Sequence, residues 1–184
     1  MSGKIHTALI VLNRKKAESE KITGLLEAEL KKRNIKTIVA PENPAELSAL
    51  CEKCLKDKPD ILFAVGGDGT FLYTARHFAA LGVPIAGVNS GRLGFLMEIT
   101  PDKITLALDK IENGTANFRK RFLLDIEVMR EGKSFAHYTA MNDVVISRGD
   151  VSRMVEIGVS VHEPDGDGFK SYFLSNYRAD GVIL

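Results

Sequence analysis

Cysteine is scarce: Cys51 and Cys54 are the only two among 184 residues. Their C-x-x-C spacing has the outline of a redox or zinc motif. A thioredoxin-like pair, however, sits at a strand-to-helix junction, and a zinc site needs two further ligands nearby. This pair falls inside residues 44–58, a stretch of helical periodicity, and the histidines at 6, 77, 137 and 162 are scattered. The two thiols therefore read as buried or half-buried helix residues, and free thiols suit a reducing, cytoplasmic compartment. An excess of charge of one sign is also missing. A formal net charge of +1 gives no bulk attraction to nucleic acid or to a membrane surface. Two basic clusters stand out locally. Lys31-Lys32-Arg33 reads as a helix C-terminus, where the dipole favours cations, and Arg119-Lys120-Arg121 as a solvated strand edge. No apolar run is long enough to span a bilayer. No apolar segment with a cleavage signal opens the chain, so a signal peptide is not expected. Internal repeats and low-complexity segments are absent.

What the chain does have is an ordinary globular balance, 45% apolar and 27% charged, with length for one large domain or for one domain and part of a second. The first half alternates between two periodicities. Residues 8–12, 35–40, 61–65 and 84–88 are short apolar runs of the kind buried on both faces of a sheet. Between them, residues 18–32, 44–55 and 71–81 repeat apolar positions at helical spacing, with Ile22, Leu25, Leu26 and Leu30 on the first. Pro44 suits a first helical turn. Residues 102–111 form a further helix, closed by Asn113-Gly114. This alternation predicts a parallel sheet with crossover helices. Beyond about residue 115 the pattern changes to strands: 122–129, 136–147, 154–162 and 172–177, with turns at 130–133 and in E-P-D-G-D-G at 163–168. The expected organisation is an α/β domain over 1–115 and a β-rich one over 116–184. Residues 180–184 begin another apolar run at the chain's end, which reads as a piece of a longer protein.

The chemistry concentrates in G-G-D-G-T at 66–70, after a buried strand and before a helix. That is the carboxyl end of a parallel strand, where open α/β sheets bind ligands. Gly66, Gly67 and Gly69 there let backbone N–H groups approach phosphate oxygens, helped by the helix N-terminus. Thr70 caps the helix or touches a phosphate. Asp68 is the odd member. A carboxylate beside a phosphate cradle repels its ligand unless it holds a metal or accepts a proton, and both roles serve phosphoryl transfer. The plain alternative is a tight glycine turn capped by Asp68. There is no G-x-x-x-x-G-K-[S/T] loop and no G-x-G-x-x-G, which argues against a P-loop NTPase and a Rossmann dehydrogenase. A second loop, G-V-N-S-G-R-L-G-F-L at 87–96, follows the next strand and lines the same edge. Asn89 and Ser90 offer hydrogen bonds, Gly91 and Gly94 close backbone approach, and Arg92 a phosphate partner. Phe95-Leu96 reads as an apolar plug.

These two motifs, followed in order by M-N-D-V-V-I-S-R-G at 141–149 and R-A-D-G-V-I-L at 178–184, resemble the NAD kinase family over nearly the whole chain. The first motif is shared with diacylglycerol and sphingosine kinases and, ending in serine, with 6-phosphofructokinases. The second and third narrow the resemblance. It implies phosphorylation of the 2′-hydroxyl of the adenosine ribose of NAD to give NADP, with ATP or polyphosphate as donor and Mg2+ or another divalent cation. Asp68 matches the family's general base or metal organiser, and the glycines around it the phosphate-contacting turn. Asn142 matches the asparagine that binds the adenosine part of NAD. Asp143 stands where the family usually has glutamate on the ribose, a shorter reach with the same charge. Arg178 and Asp180 match residues near the nicotinamide half. The implied fold is α/β: an N-terminal Rossmann-like parallel sheet with helices on both faces, then a β-rich domain, here incomplete, with the site between them. The family's T-P-T-G-S-T-A-Y segment, which follows R-x-D-G, lies beyond residue 184. Homodimers or homotetramers are implied, and no nucleic-acid or membrane partner. Two competing readings are a lipid kinase, on G-G-D-G-T alone, and a non-catalytic dinucleotide-binding fragment.

Overall fold

The segment I-L-F-A-V-G has no polar face to offer water, and it forms a strand buried along its whole length, β3 (Ile61–Gly66). The computed structural model describes residues 4–91, 94–149, 153–166 and 168–184, and the chain divides into two compact units, 1–122 and 123–184. In the first unit β3 lies between β1 (Thr7–Leu12) and β4 (Ile85–Asn89), and β2 (Lys36–Val39) closes the other side of β1. All three pairings are parallel. The order β2-β1-β3-β4 reverses direction between β1 and β3, which creates a topological switch point outside their carboxyl ends.

Helices cover both faces of this sheet. Ala8, Ile10, Phe63, Val65 and Val88 point to one side. There they meet Ile22, Leu26 and Leu30 of α1 (Ala17–Lys32) and Ile104, Leu108 and Ile111 of α4 (Ile104–Glu112). Leu9, Val11 and Leu62 point to the other, against Leu47 and Cys54 of α2 (Pro44–Lys56) and Phe78 of α3 (Asp68–Phe78). Alternation along each strand feeds two separate cores. Leu25, expected on the inner stripe of α1, is half exposed; positions 22, 26 and 30 fill that stripe, and 25 turns past its edge. Two helices start elsewhere than expected. α3 begins at Asp68, three residues early, and ends through a 3-10 turn, Ala79–Leu81, stopped by left-handed Gly82. α4 is preceded by a 3-10 turn, Pro101–Lys103. The C-x-x-C pair sits late in α2. Burial, then the neighbouring Cys54, pushes the Cys51 thiol up, and burial likewise raises Cys54, so neither favours the thiolate that redox or metal chemistry needs. Among the described residues no helix is long and apolar enough to cross a membrane.

The basic cluster 31–33 does more than close a helix. Asn34, left-handed at φ 57°, lets its own N–H reach Lys31 O and that of Ile35 reach Leu30 O, a Schellman stop with Leu30 and Ile35 in the same core. Arg33 then bonds Glu29 at 2.7 Å, Asp109 at 2.6 Å and Glu112 at 3.1 Å, which ties α1 to α4. Hydrogen bonds from Lys32 and then Arg33 hold the Glu29 carboxyl at about 2, against an ordinary 4.5. A depressed carboxylate stabilises above its unfolded value and loses that contribution as it protonates. The difference in urea midpoint between wild type and Glu29→Gln should therefore be full above pH 4.5 and close as pH falls toward 2. A difference independent of pH would show that the charge on Glu29 does not matter.

The second unit is three antiparallel pairs. β5 (Leu124–Arg130) and β6 (Lys133–Ala140) form a hairpin through Glu131 and Gly132, both at positive φ, as a two-residue primed turn requires. β8 (Val155–Asp165) and β9 (Gly168–Ala179) form a longer hairpin. β7 (Val145–Ser147) pairs with β10 (Gly181–Ile183). Two expectations change here. Residues 136–147 are not one strand, because the chain leaves β6 at Met141 and re-enters as β7. The turn expected over E-P-D-G-D-G is shorter, since β8 runs through Asp165 and β9 begins at Gly168. None of this unit's described residues is buried, and Phe135, Phe169 and Phe173 are all more than 60% exposed. The cores lie in the first unit.

Candidate active site

The G-G-D-G-T motif occupies the switch point. Gly66 is the last residue of β3, Gly67 the extended N-cap of α3, and Asp68, Gly69 and Thr70 its first turn. Thr70 is therefore not the cap. Its N–H turns back to Gly67 O at 2.8 Å, and its side chain folds over Gly66, where an added Cβ would stand 2.2 Å from the Thr70 hydroxyl. Gly66 thus has a reason within the fold to be glycine. Gly67 and Gly69 have none: a Cβ at either meets no described protein atom within 4 Å. Their bareness leaves the start of α3, with its unsatisfied N–H groups, open to an approaching ligand.

The loop after β4 closes over this turn from one side. Ser90 N–H donates to Gly66 O at 2.8 Å. The Asn89 side chain is buried and braces its own loop. Its amide donates to Gly91 O at 2.8 Å, and its oxygen accepts Gly91 N–H at 3.1 Å. The Ser90 hydroxyl meets the buried Ser19 hydroxyl of α1 at 2.8 Å. Asp68 does not cap its helix by its side chain. Its Oδ2 accepts Phe95 N–H at 2.9 Å and its Oδ1 accepts Leu96 N–H at 3.0 Å. The expected apolar plug, Phe95-Leu96, gives way to the next residue. Phe95 is 96% exposed, while Met97 fills the core; the amides of 95 and 96 face the carboxylate, so the chain turns Phe95 outward. Arg92 lies outside the described residues.

Pattern alone gave no reason to single out Lys16, the N-cap of α1. Its ammonium stands over the second loop, 3.8 Å from where a Gly91 Cβ would be. Arg14 turns away, to Ala40 O and Glu42. The readable signal was positional: a basic run directly after a strand whose carboxyl end borders the switch point. Ser90 and Gly94 were marked by residue type, for a hydrogen bond and for close approach, but not their partners Ser19 and Asp68, which lie far along the chain; Ser19 itself carries no comparable signal.

The remaining candidates lie in the second unit. Asn142 and Asp143 are exposed, immediately before β7. Val144 and Leu184 exchange backbone hydrogen bonds at 2.9 Å, so the third and fourth motifs are cross-strand partners. Arg178 and Asp180 are not an ion pair with one another. Asp180 Oδ1 lies 3.2 Å from Arg148, and Arg178 stands opposite Glu156. Among the described residues no cluster of three or more His, Cys, Asp or Glu side chains is arranged to hold a metal.

The family profile described as ATP-NAD kinase N-terminal domain matches residues 8–116 of this chain. The chain belongs to the NAD kinase family. The NAD kinase of Aromatoleum aromaticum is 42% identical over 125 residues, 68% of this chain and 39% of that protein. The NAD kinase of Heliobacterium modesticaldum is 34% identical over 181 residues, 97% of this chain and 61% of that protein. The chain thus spans less than two thirds of the length of these NAD kinases. The crystal structure of yeast NADH kinase complexed with NADH matches 98% of this chain and 57% of its own, at 20% identity and a TM-score of 0.77. At that identity the likeness establishes the fold: a parallel α/β sheet followed by a strand-rich region.

Proposed function

We propose that the full-length protein is an NAD kinase in activity as well as family, transferring the γ-phosphoryl group of MgATP to the adenosine ribose 2′-hydroxyl of NAD. The observation that carries this reading is the turn left bare at Gly67 and Gly69, with a single carboxylate, at the switch point. Open N–H groups at Gly67 and Gly69 suit donor phosphates, and Asp68 suits the acceptor hydroxyl. Asn142 and Asp143 take the adenosine half of NAD, Arg178 and Asp180 the nicotinamide half. Asn89 serves by shaping the loop beside Gly66. In the transfer the 2′-oxygen bonds to the γ-phosphorus. The bond from that phosphorus to the β,γ-bridging oxygen breaks, ADP leaves, and the hydroxyl proton passes to Asp68. Mg2+ enters as part of the nucleotide substrate, since such ions favour phosphate oxygens with one or two carboxylates; bound there it neutralises phosphate charge. The enzyme works in the cytoplasm as a homodimer or homotetramer.

The deciding assay supplies NAD, ATP and Mg2+ to the full-length protein and reads NADP with an NADP-specific dehydrogenase. NADH, polyphosphate, a sphingoid base and diacylglycerol run in parallel. NADP formation supports the reading; phosphorylated lipid, or NAD binding without product, replaces it. Lys16 is read as a donor-phosphate contact. Lys16→Ala should raise KM for ATP roughly tenfold with KM for NAD unchanged, and an unaltered KM for ATP would remove Lys16 from the site.

A further inference from the structure

The candidate base is held by its neighbours in a way that depends on one glycine. Each oxygen of Asp68 accepts one backbone N–H from the loop after β4, Phe95 on Oδ2 and Leu96 on Oδ1. For both bonds to form, the carboxylate must lie directly against the chain at residue 94. A Cβ built on Gly94 would stand 2.2 Å from Oδ1, 2.6 Å from Cγ and 2.7 Å from Oδ2, well inside van der Waals contact. Aspartate has too short a stem to bend around such an obstacle. Rotating its carboxylate clear gives up the two N–H bonds that orient it.

We propose that Gly94 is a positioning residue for phosphoryl transfer, admitting the Asp68 carboxylate into a two-amide clamp that fixes its direction. This rests on the reading of Asp68 as proton acceptor and deepens it. A carboxylate has about four lone-pair sites. The clamp uses one on each oxygen and leaves one on each for the acceptor hydroxyl. Orientation of this kind acts on the reaction step, because small misplacements of a reacting group are expensive. The clamp also joins two segments far apart in sequence, the first turn of α3 and the loop after β4, so that loop moves with the turn and its carboxylate.

The test uses the full-length protein. Gly94→Ala should lower kcat by roughly 50-fold or more while Kd for NAD stays within about threefold. If Gly94 acts only through Asp68, the Asp68→Asn/Gly94→Ala double variant turns over no more slowly than Asp68→Asn alone. Turnover of Gly94→Ala within about threefold of wild type, or losses that multiply in the double variant, overturn the proposal while leaving Asp68 in place. Wild-type turnover by Asp68→Asn overturns the reading of Asp68 itself, and the positioning role with it. Should Gly94→Ala not fold, amide hydrogen exchange decides: Phe95 and Leu96 exchange faster in Asp68→Ala than in wild type if the clamp exists, and unchanged protection refutes it.

Discussion

Asp68→Asn in the full-length protein is expected to bind NAD within about threefold of wild type and to lose roughly 100- to 10,000-fold in turnover. Asparagine keeps the size of the side chain and one acceptor oxygen. It loses the charge and the ability to take a proton. It also disturbs the clamp, because its NH2 group faces one of the two backbone donors at Phe95 and Leu96. A donor facing a donor forfeits a charge-assisted bond, worth about 1.5–3 kcal/mol. A thermal melt of the variant should register that loss, while the kinetics register a larger one. Equal turnover with a lowered melting temperature would mean that Asp68 only ties the loop to the turn.

Gly69→Ala should separate stability from activity in the opposite sense. Gly69 is the second helical residue of α3, exposed, with empty space where a Cβ would go. Alanine in a helix is favoured over glycine by up to about 1 kcal/mol, less in a first turn. The variant should therefore melt at the same temperature as wild type or slightly higher. The same methyl group fills the space through which a phosphate oxygen would approach the N–H groups. A loss of roughly 10- to 100-fold in kcat/KM for ATP is expected, with binding of NAD alone little changed. A variant both more stable and fully active would show that phosphates do not use this turn. The glycine at 69 would then reflect nothing beyond local tolerance.

The parallel sheet was legible because its signals are local. A strand buried on both faces must be apolar throughout, as β3 is, and a crossover helix must repeat its apolar positions every three or four residues, as α1 does at 22, 26 and 30. The start of α3 was less so, since D-G-T is a poor helix former in isolation. It is helical here because its first N–H groups need no internal partner, which is the feature the proposed phosphate role would use. The clamp on Asp68 was not legible at all. It joins backbone N–H groups to a side chain 27 and 28 positions away, and backbone amides carry no residue identity. In the second unit the strands were visible as alternating runs. The break between β6 and β7 was hidden, because Met141 and Val144 continue the apolar pattern across it.

The pairing of the third and fourth motifs also sets an order of assembly. Their strands, β7 and β10, meet across about 34 residues, and the β8–β9 hairpin is nested inside that interval. Closing a loop costs an entropy that grows with the logarithm of its length. Once the hairpin has zipped, the connection that remains to be closed is only about eight residues, a saving on the order of 1 kcal/mol. The hairpin is a local structure of the kind that forms in microseconds, so the low-barrier route makes it first and docks the two motif strands afterwards.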